Sequence, residues 1–256
     1  RFSKMGGGLY LFNTKSHSLV NKIPGHFRQI VEIDQNYYII EFVEKELYVV
    51  SKNFDLMFKK SLDQIAPFNQ KPHYCGIAYH KTSNTLYVSN AGTDTISLYD
   101  KDSLQIKSVF YVSEKARKCG GGIHHINDIA IIYDTLLVSC FSVSGTWKEG
   151  ILDGGIFEFD ILKIEDKPNI LMNHLWKPHS VEYYNNTICY LDSMNGFLWK
   201  GNQKIAGKFN GFIRGLAYDG QYIYIGQSED MYSSELFGIK DNIMLNAGIY
   251  LYDEKT

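Results

Sequence analysis

The segment 119–131 reads C-G-G-G-I-H-H-I-N-D-I-A-I, with two imidazoles, an amide and a carboxylate at the mouth of an apolar run. Imidazole moves protons near neutral pH and ligates transition metals. Related residues recur along the chain as His26, His73 and His179, with Arg28 and Arg214 at comparable offsets. Guanidinium groups grip carboxylates and phosphates through paired hydrogen bonds. Such a set suits chemistry on a small anionic molecule, provided that the fold gathers it.

The elements that must position these residues come from an internal repeat. The stretch 72–90, P-H-Y-C-G-I-A-Y-H-K-T-S-N-T-L-Y-V-S-N, is an alternating strand, a polar turn and a second strand ending in small polar residues. The pattern returns at 26–42, 124–140, 177–193 and 212–228, which makes five copies. Third strands follow as T-I-S-L-Y-D, G-G-I-F-E-F-D, G-F-L-W-K and G-I-Y-L-Y-D, while the N-terminal G-G-G-L-Y-L-F-N is a third strand without a preceding pair. Among fourth strands, 103–112 is the clearest. Repeats of this length with about four short strands each predict an all-β propeller. Five copies and the orphan strand predict six four-stranded blades in one domain, 1–256, with both chain ends closing the ring and removing the open sheet edge; five blades is the alternative.

Stacking the copies on Val31, Ala78, Ala130, Glu182 and Ala217 aligns the polar residues in columns. One column holds His26, His73, His125, Lys177 and Phe212; the next holds Arg28, Cys75, Asn127, His179 and Arg214. Side chains two apart on a strand share a face, so both columns should meet around the channel. Second strands end at Glu41, Asn90, Cys140, Asp192 and Gln227, near the same rim. The reading assigns proton transfer to His73, His125, His179 and Asp192. Substrate contacts fall to His26, Arg28, Glu41, Asn90, Trp147, Arg214 and Gln227. His124 and Asp128 alternate to the other face and read as structural, and the 120–122 glycines as room for close approach to the axis. Cys75 and Cys140 read as buried structural thiols, and 115–118 (K-A-R-K) as a solvated turn.

Composition narrows the classes. The 256 residues are 45% hydrophobic with a formal charge of −2, which predicts a packed core and no nucleic-acid partner. No apolar run reaches about 18 residues, so no membrane span is expected. Four cysteines without zinc-finger spacing, and a start without a signal-peptide core, predict reduced thiols and a cytoplasmic location.

The motifs H-x-N-D-I-A at 125–130, G-T-W at 145–147 and K-P-H-S at 177–180 resemble a family of uncharacterised bacterial propeller-like proteins. L-D-S-x-x-G at 191–196 and R-G-L-A at 214–217 extend the resemblance over roughly 70–253. The chain is more distantly similar to six-bladed propellers of the gluconolactonase, regucalcin and strictosidine-synthase kind. That resemblance implies a divalent metal in the channel, with Asn127 matching the family's P-N-G-L-A asparagine and His179 standing where its P-D-G aspartate would be. A set of His125, Asn127 and His179 would favour zinc, manganese or iron over calcium, because imidazole has replaced a hard carboxylate. The glutamate of those enzymes has no counterpart here.

Two functions compete. The favoured one is an enzyme acting on a small anionic metabolite, a sugar acid or sugar phosphate, as a metal-assisted hydrolase, a lyase or an epimerase. The other is a non-catalytic platform that holds a glycan or polypeptide across its top face with Trp147, Tyr232 and Phe237.

Overall fold

A computed structural model describes residues 7–62, 70–164, 167–228 and 247–255 of the chain. The blades follow the repeat. The first sheet is β3 (Phe27–Ile33), β4 (Asn36–Glu41), β5 (Glu46–Ser51) and β6 (Leu56–Ser61). The second is β7 (Tyr74–His80), β8 (Thr85–Asn90), β9 (Thr95–Asp100) and β10 (Ile106–Tyr111). The third is β11 (Ile126–Ile132), β12 (Thr135–Cys140), β13 (Gly154–Asp160) and β14 (Asn169–Leu175). The fourth is β15 (His179–Tyr184), β16 (Thr187–Asp192), β17 (Phe197–Lys200) and β18 (Gln203–Gly207). The fifth has three described strands, β19 (Phe212–Tyr218), β20 (Tyr222–Ser228) and β21 (Gly248–Asp253). All neighbouring strands are antiparallel, and the inner strands β3, β7, β11, β15 and β19 lie side by side in that order.

The fold is thus an all-β propeller of five blades rather than six. Among the described residues the expected sixth blade, shared between the chain ends, is not assembled. The N-terminal strand β1 (Gly8–Asn13) pairs with β2 (Ser18–Pro24) as a separate hairpin, and among the described residues β21 pairs only with β20. The hairpin packs Leu9 and Ile23 against Ile39, Tyr48 and Val50 of the first blade. It occupies the place of a neighbouring blade without supplying an inner strand.

Apolar burial runs between blades. Ile40 and Leu47 meet Ile77 and Val88 between the first two; Ile96 meets Leu136 and Val138 between the second and third. Ile156 meets Val181 and Tyr190, then Leu191 and Leu198 meet Ile213 and Ile225. Inner and middle strands are buried on both faces, which favours β-branched and aromatic residues. Outer strands such as β2 and β6 are largely exposed and mix Lys, Ser and Met with apolar residues, so their alternation is faint. No described helix is long and apolar enough to cross a membrane.

Every inner strand carries the same irregularity. Pairing slips between Phe27 and Ile30, Tyr74 and Ile77, Ile126 and Ile129, His179 and Glu182, and Ile213 and Leu216. Two residues of the inner strand oppose one of its partner, which is a β-bulge. The groups so freed are satisfied by the neighbouring blade. Gln29 accepts from Ile77 N at 3.0 Å and donates to Ile129 O at 3.0 Å; Ser180 N donates to Asp128 Oδ2 at 2.7 Å; Gly215 N donates to Ser180 Oγ at 2.9 Å. A Gln29→Ala variant leaves buried amide groups unpaired on two blades and should lose about 1–3 kcal/mol of stability in urea unfolding. Equal stability to the parent would show that the tie is redundant.

Candidate functional site

The bulges aim side chains at a channel cavity of about 340 Å³. Arg28 and Gln29, Asn127 and Asp128, His179 and Ser180, and Arg214 and Gly215 all line it, joined by His73, Cys75, His125 and Glu182. Consecutive residues reach the same lumen because the bulge breaks strict alternation. Asp128 is therefore not turned to the far face as the alternation predicts: it lines the cavity beside Asn127. Glu182, the one acidic member of a column otherwise filled by Val31, Ala78, Ala130 and Ala217, also lines it. A carboxylate in a column of small residues was the signal available in the sequence for Glu182.

The two arginines converge. Each lies over an aromatic ring, Arg28 at 4.4 Å from the Phe42 centroid and Arg214 at 4.8 Å from that of Phe212. The charges of both act on Cys75, Asp128 and His179, so they share one region of the channel. Arg28 Nε is buried and has no hydrogen-bond partner among the described residues.

The histidines form an aromatic collar. The His73 ring stands edge-on to His125 at 5.7 Å and tilts against Phe42 at 4.6 Å. His125 is packed between Phe141 at 4.5 Å and Trp147 at 4.6 Å. Phe141 in turn meets His179, which abuts Phe212 at 5.2 Å. His179 Nδ1 lies 3.0 Å from the Lys177 carbonyl, which can only accept, so Nδ1 carries the proton and Nε2 is the basic nitrogen. Burial and the Arg28 charge bring His73 down to about 4, and burial with His73 and Lys177 brings His125 down to about 3. Burial first, then Arg214, holds His179 well below the usual imidazole range. All three rings are neutral at physiological pH. Burial pushes the Cys75 thiol up to about 12 and Cys140 higher still, so neither is a thiolate.

The rim column does different work. Glu41 Oε1 accepts from His26 N, Asn90 Oδ1 from His73 N, Asp192 Oδ1 from Trp176 N, each at 2.8 Å, and Gln227 Oε1 accepts from Gly211 N at 3.0 Å. Each side chain latches the entry of its own blade's first strand, and none lines the cavity. Glu41, Asn90, Asp192 and Gln227, expected to contact substrate or move protons, thus bond main-chain N–H groups at the blade entries and lie outside the cavity lining. The second-strand end pairs with the first-strand start, which puts the carboxyl or amide beside main-chain N–H groups rather than the lumen. His26 also lies outside the lining. Trp147 packs on His125 and Phe141 instead of facing a ligand across the top; Tyr232 and Phe237 lie outside the described residues.

The segment 119–131 is held from the second blade. Asp94, fully buried, accepts from Ile123 N at 2.6 Å, His124 N at 2.8 Å and Ile126 N at 3.4 Å. His124 Nδ1 donates to Ser142 O at 2.8 Å and Nε2 meets Ser113 Oγ at 2.7 Å, the structural role its position predicted. His125 takes φ +53, a left-handed conformation that this frame must hold. The glycines serve elsewhere than the axis. Residues 115–118 belong to a helix, α1 (Glu114–Cys119), which Gly120 closes, and a Cβ on Gly121 would collide with the Thr93 carbonyl.

His125, Asn127 and His179 all line the cavity; Phe141 contacts both imidazoles, and the Asn127 amide donates to His125 O at 3.1 Å. Among the described residues no three His, Cys, Asp or Glu side chains converge where a metal ion could sit.

No family model matches the chain, and no curated protein does. Solved structures do. The chain is similar to a structure described as a nidogen/laminin complex, with TM-score 0.61 at 12% identity over 84% of this chain and 77% of that one. A calcium-binding protein, regucalcin from Agrobacterium tumefaciens, gives 0.55 at 13% identity over 81% and 69%. A putative gluconolactonase gives 0.55 at 13% identity over 80% and 72%. At such identities the likeness is one of fold alone, that of a β-propeller.

Asp94→Ala strips a buried carboxylate from three main-chain donors and should cost about 2–4 kcal/mol in chemical unfolding, against little for Asp55→Ala on the surface. The neutral imidazoles make stability fall with acid: the unfolded chain binds protons below about pH 6.5, while His73 resists to about 4 and His125 to about 3. His125→Asn, which tolerates the left-handed backbone, should flatten the decline in melting temperature between pH 6.5 and 4. An unchanged acid limb would remove His125 as its source.

Proposed function

We propose that the channel binds a small anionic metabolite of the sugar-acid or sugar-phosphate class and acts on it as a proton-transfer enzyme, a lyase or an epimerase. The observation that carries this reading is the convergence of Arg28 and Arg214 on one cavity, with Arg28 Nε buried and unpartnered among the described residues. Half-buried cations facing one cavity favour an anionic partner, and two guanidinium forks can share a carboxylate or phosphate. A volume of about 340 Å³ suits a single sugar-sized molecule. The collar of His73, His125, Phe141 and His179 offers ring faces to its carbon skeleton.

The chemistry then rests on groups that face the bound molecule. His179 Nε2 is an unprotonated base whose tautomer is fixed from behind by Lys177 O. A base abstracting a proton next to a carboxylate leaves negative charge on the carboxylate oxygens, where the arginines are already placed to stabilise it. Proton transfer is favoured over metal-assisted hydrolysis because Phe141 packs on both imidazoles that a metal would have to share.

The test is ligand-induced stabilisation with D-gluconate, D-galacturonate and glucose 6-phosphate against neutral glucose. The anions should raise the melting temperature and glucose should not. Arg28→Met and Arg214→Met should each weaken the effect at least tenfold in apparent affinity, by roughly the strength of a charge-assisted pair. His179→Asn should still bind while losing any turnover seen by proton NMR. Equal stabilisation by glucose, or none by any anion, would overturn the reading.

A further inference from the structure

We propose that the channel takes its anion together with one proton, carried by Glu182, so that the Glu182 carboxyl group donates a hydrogen bond to the bound molecule. This deepens the anion-binding reading and rests on it.

Charge balance in the cavity carries the inference. Arg28 and Arg214 supply two positive charges and Asp128 one negative charge. Burial pushes the Asp128 carboxyl up, but Ser180 N donates to its Oδ2 at 2.7 Å and both arginines act against that rise, so of the two carboxyls Asp128 is the one whose charge is supported. With Glu182 ionised, the four groups that line the cavity sum to zero, and the pull on an anion is left to Lys177, buried over Phe141 and Trp147 outside the lining. With Glu182 protonated, the set is one positive charge in excess, which one anion neutralises. Unbalanced charge is costly inside a protein, so anion and proton should enter together.

The placement of Glu182 agrees. In the strand register it takes the place after the bulge that Ile30, Ile77, Ile129 and Leu216 take in the other blades, so it is the one carboxyl at a position that is apolar elsewhere. It lines the same cavity as both arginines and accepts no hydrogen bond from any described residue, unlike Asp128. Burial, then the Asp128 charge, pushes its carboxyl up to about 8. The groups that face it leave this pH range clear. Arg28 from β3 and Arg214 from β19 stay charged; Cys75 from β7 titrates at about 12; His179 on its own strand titrates far below. Tyr184 and Cys189, which feel its charge from the flank, are both raised. The step is balanced: the carboxylate oxygen takes one proton from solvent as the anion docks and returns it on release.

Calorimetric titration decides the matter with two monovalent probes that do not themselves titrate near neutral pH, sodium D-gluconate and sodium D-galacturonate. At about pH 8.5 the binding heat of the wild type should change with the buffer's ionisation heat in the sense of proton uptake, approaching one proton per anion. Affinity should fall about tenfold for each pH unit above that point, as the ionised carboxylate must be neutralised first. Glu182→Gln, which keeps an amide donor, should bind with no proton uptake and with an affinity that no longer depends on pH. Binding without uptake in the wild type, or undiminished uptake in the variant, would overturn this inference while leaving the anion site intact. Binding of neither probe would instead overturn the anion site itself. If Glu182→Gln does not fold, the buffer dependence of the wild type suffices: uptake of a proton sustains the inference and its absence ends it.

Discussion

The whole arrangement depends on one backbone device, the β-bulge repeated at the same place in all five inner strands. A regular strand would send every second side chain into the packed slabs between blades. Two residues set against one send neighbouring side chains into the lumen together and release main-chain groups from the ladder. Those groups cannot stay unpaired inside the fold. Gln29, Ser89, Asp128, Ser139 and Ser180 satisfy them by bonding within and across blades. The feature that makes the channel polar is thus also what ties the blades to one another.

The same need for partners explains why the rim is structural. Each blade entry presents main-chain N–H groups next to the end of its own second strand. Glu41, Asn90, Asp192 and Gln227 meet them with an acceptor of suitable length. The third blade has Cys140 there, and Asp94 reaches across from the second blade to do the work. The loop bearing His125 is therefore held by a neighbouring blade as well as by Phe141 and Ser142 of its own.

Inside this frame, position makes the electrostatics uneven. The imidazoles sit in an aromatic collar with arginines near, which disfavours their charged forms. Burial likewise disfavours the charged forms of the carboxyls Asp128 and Glu182. Neutral imidazoles, two arginines and two carboxyls thus line one cavity with their protonation set by their surroundings.

The sequence by itself determined the repeat, the inner and middle strands, and the columns that bring Arg28, His73, His125, Asn127, His179 and Arg214 to one lumen, because buried strands write apolar runs whose few polar residues recur at fixed offsets from copy to copy. It left the outer strands β6, β14 and β18 faint, since exposed strands tolerate mixed side chains. Tertiary structure alone decided the blade number, because whether β1 joins β21 or folds back on β2 is a matter of long-range pairing that alternation does not encode. It also decided that Asp128 shares the lumen with Asn127, that Asp192 faces backbone, and that Phe141 packs on two imidazoles. Each of these turns on a bulge or a ring packed from a distant loop, and a period of two carries no trace of either.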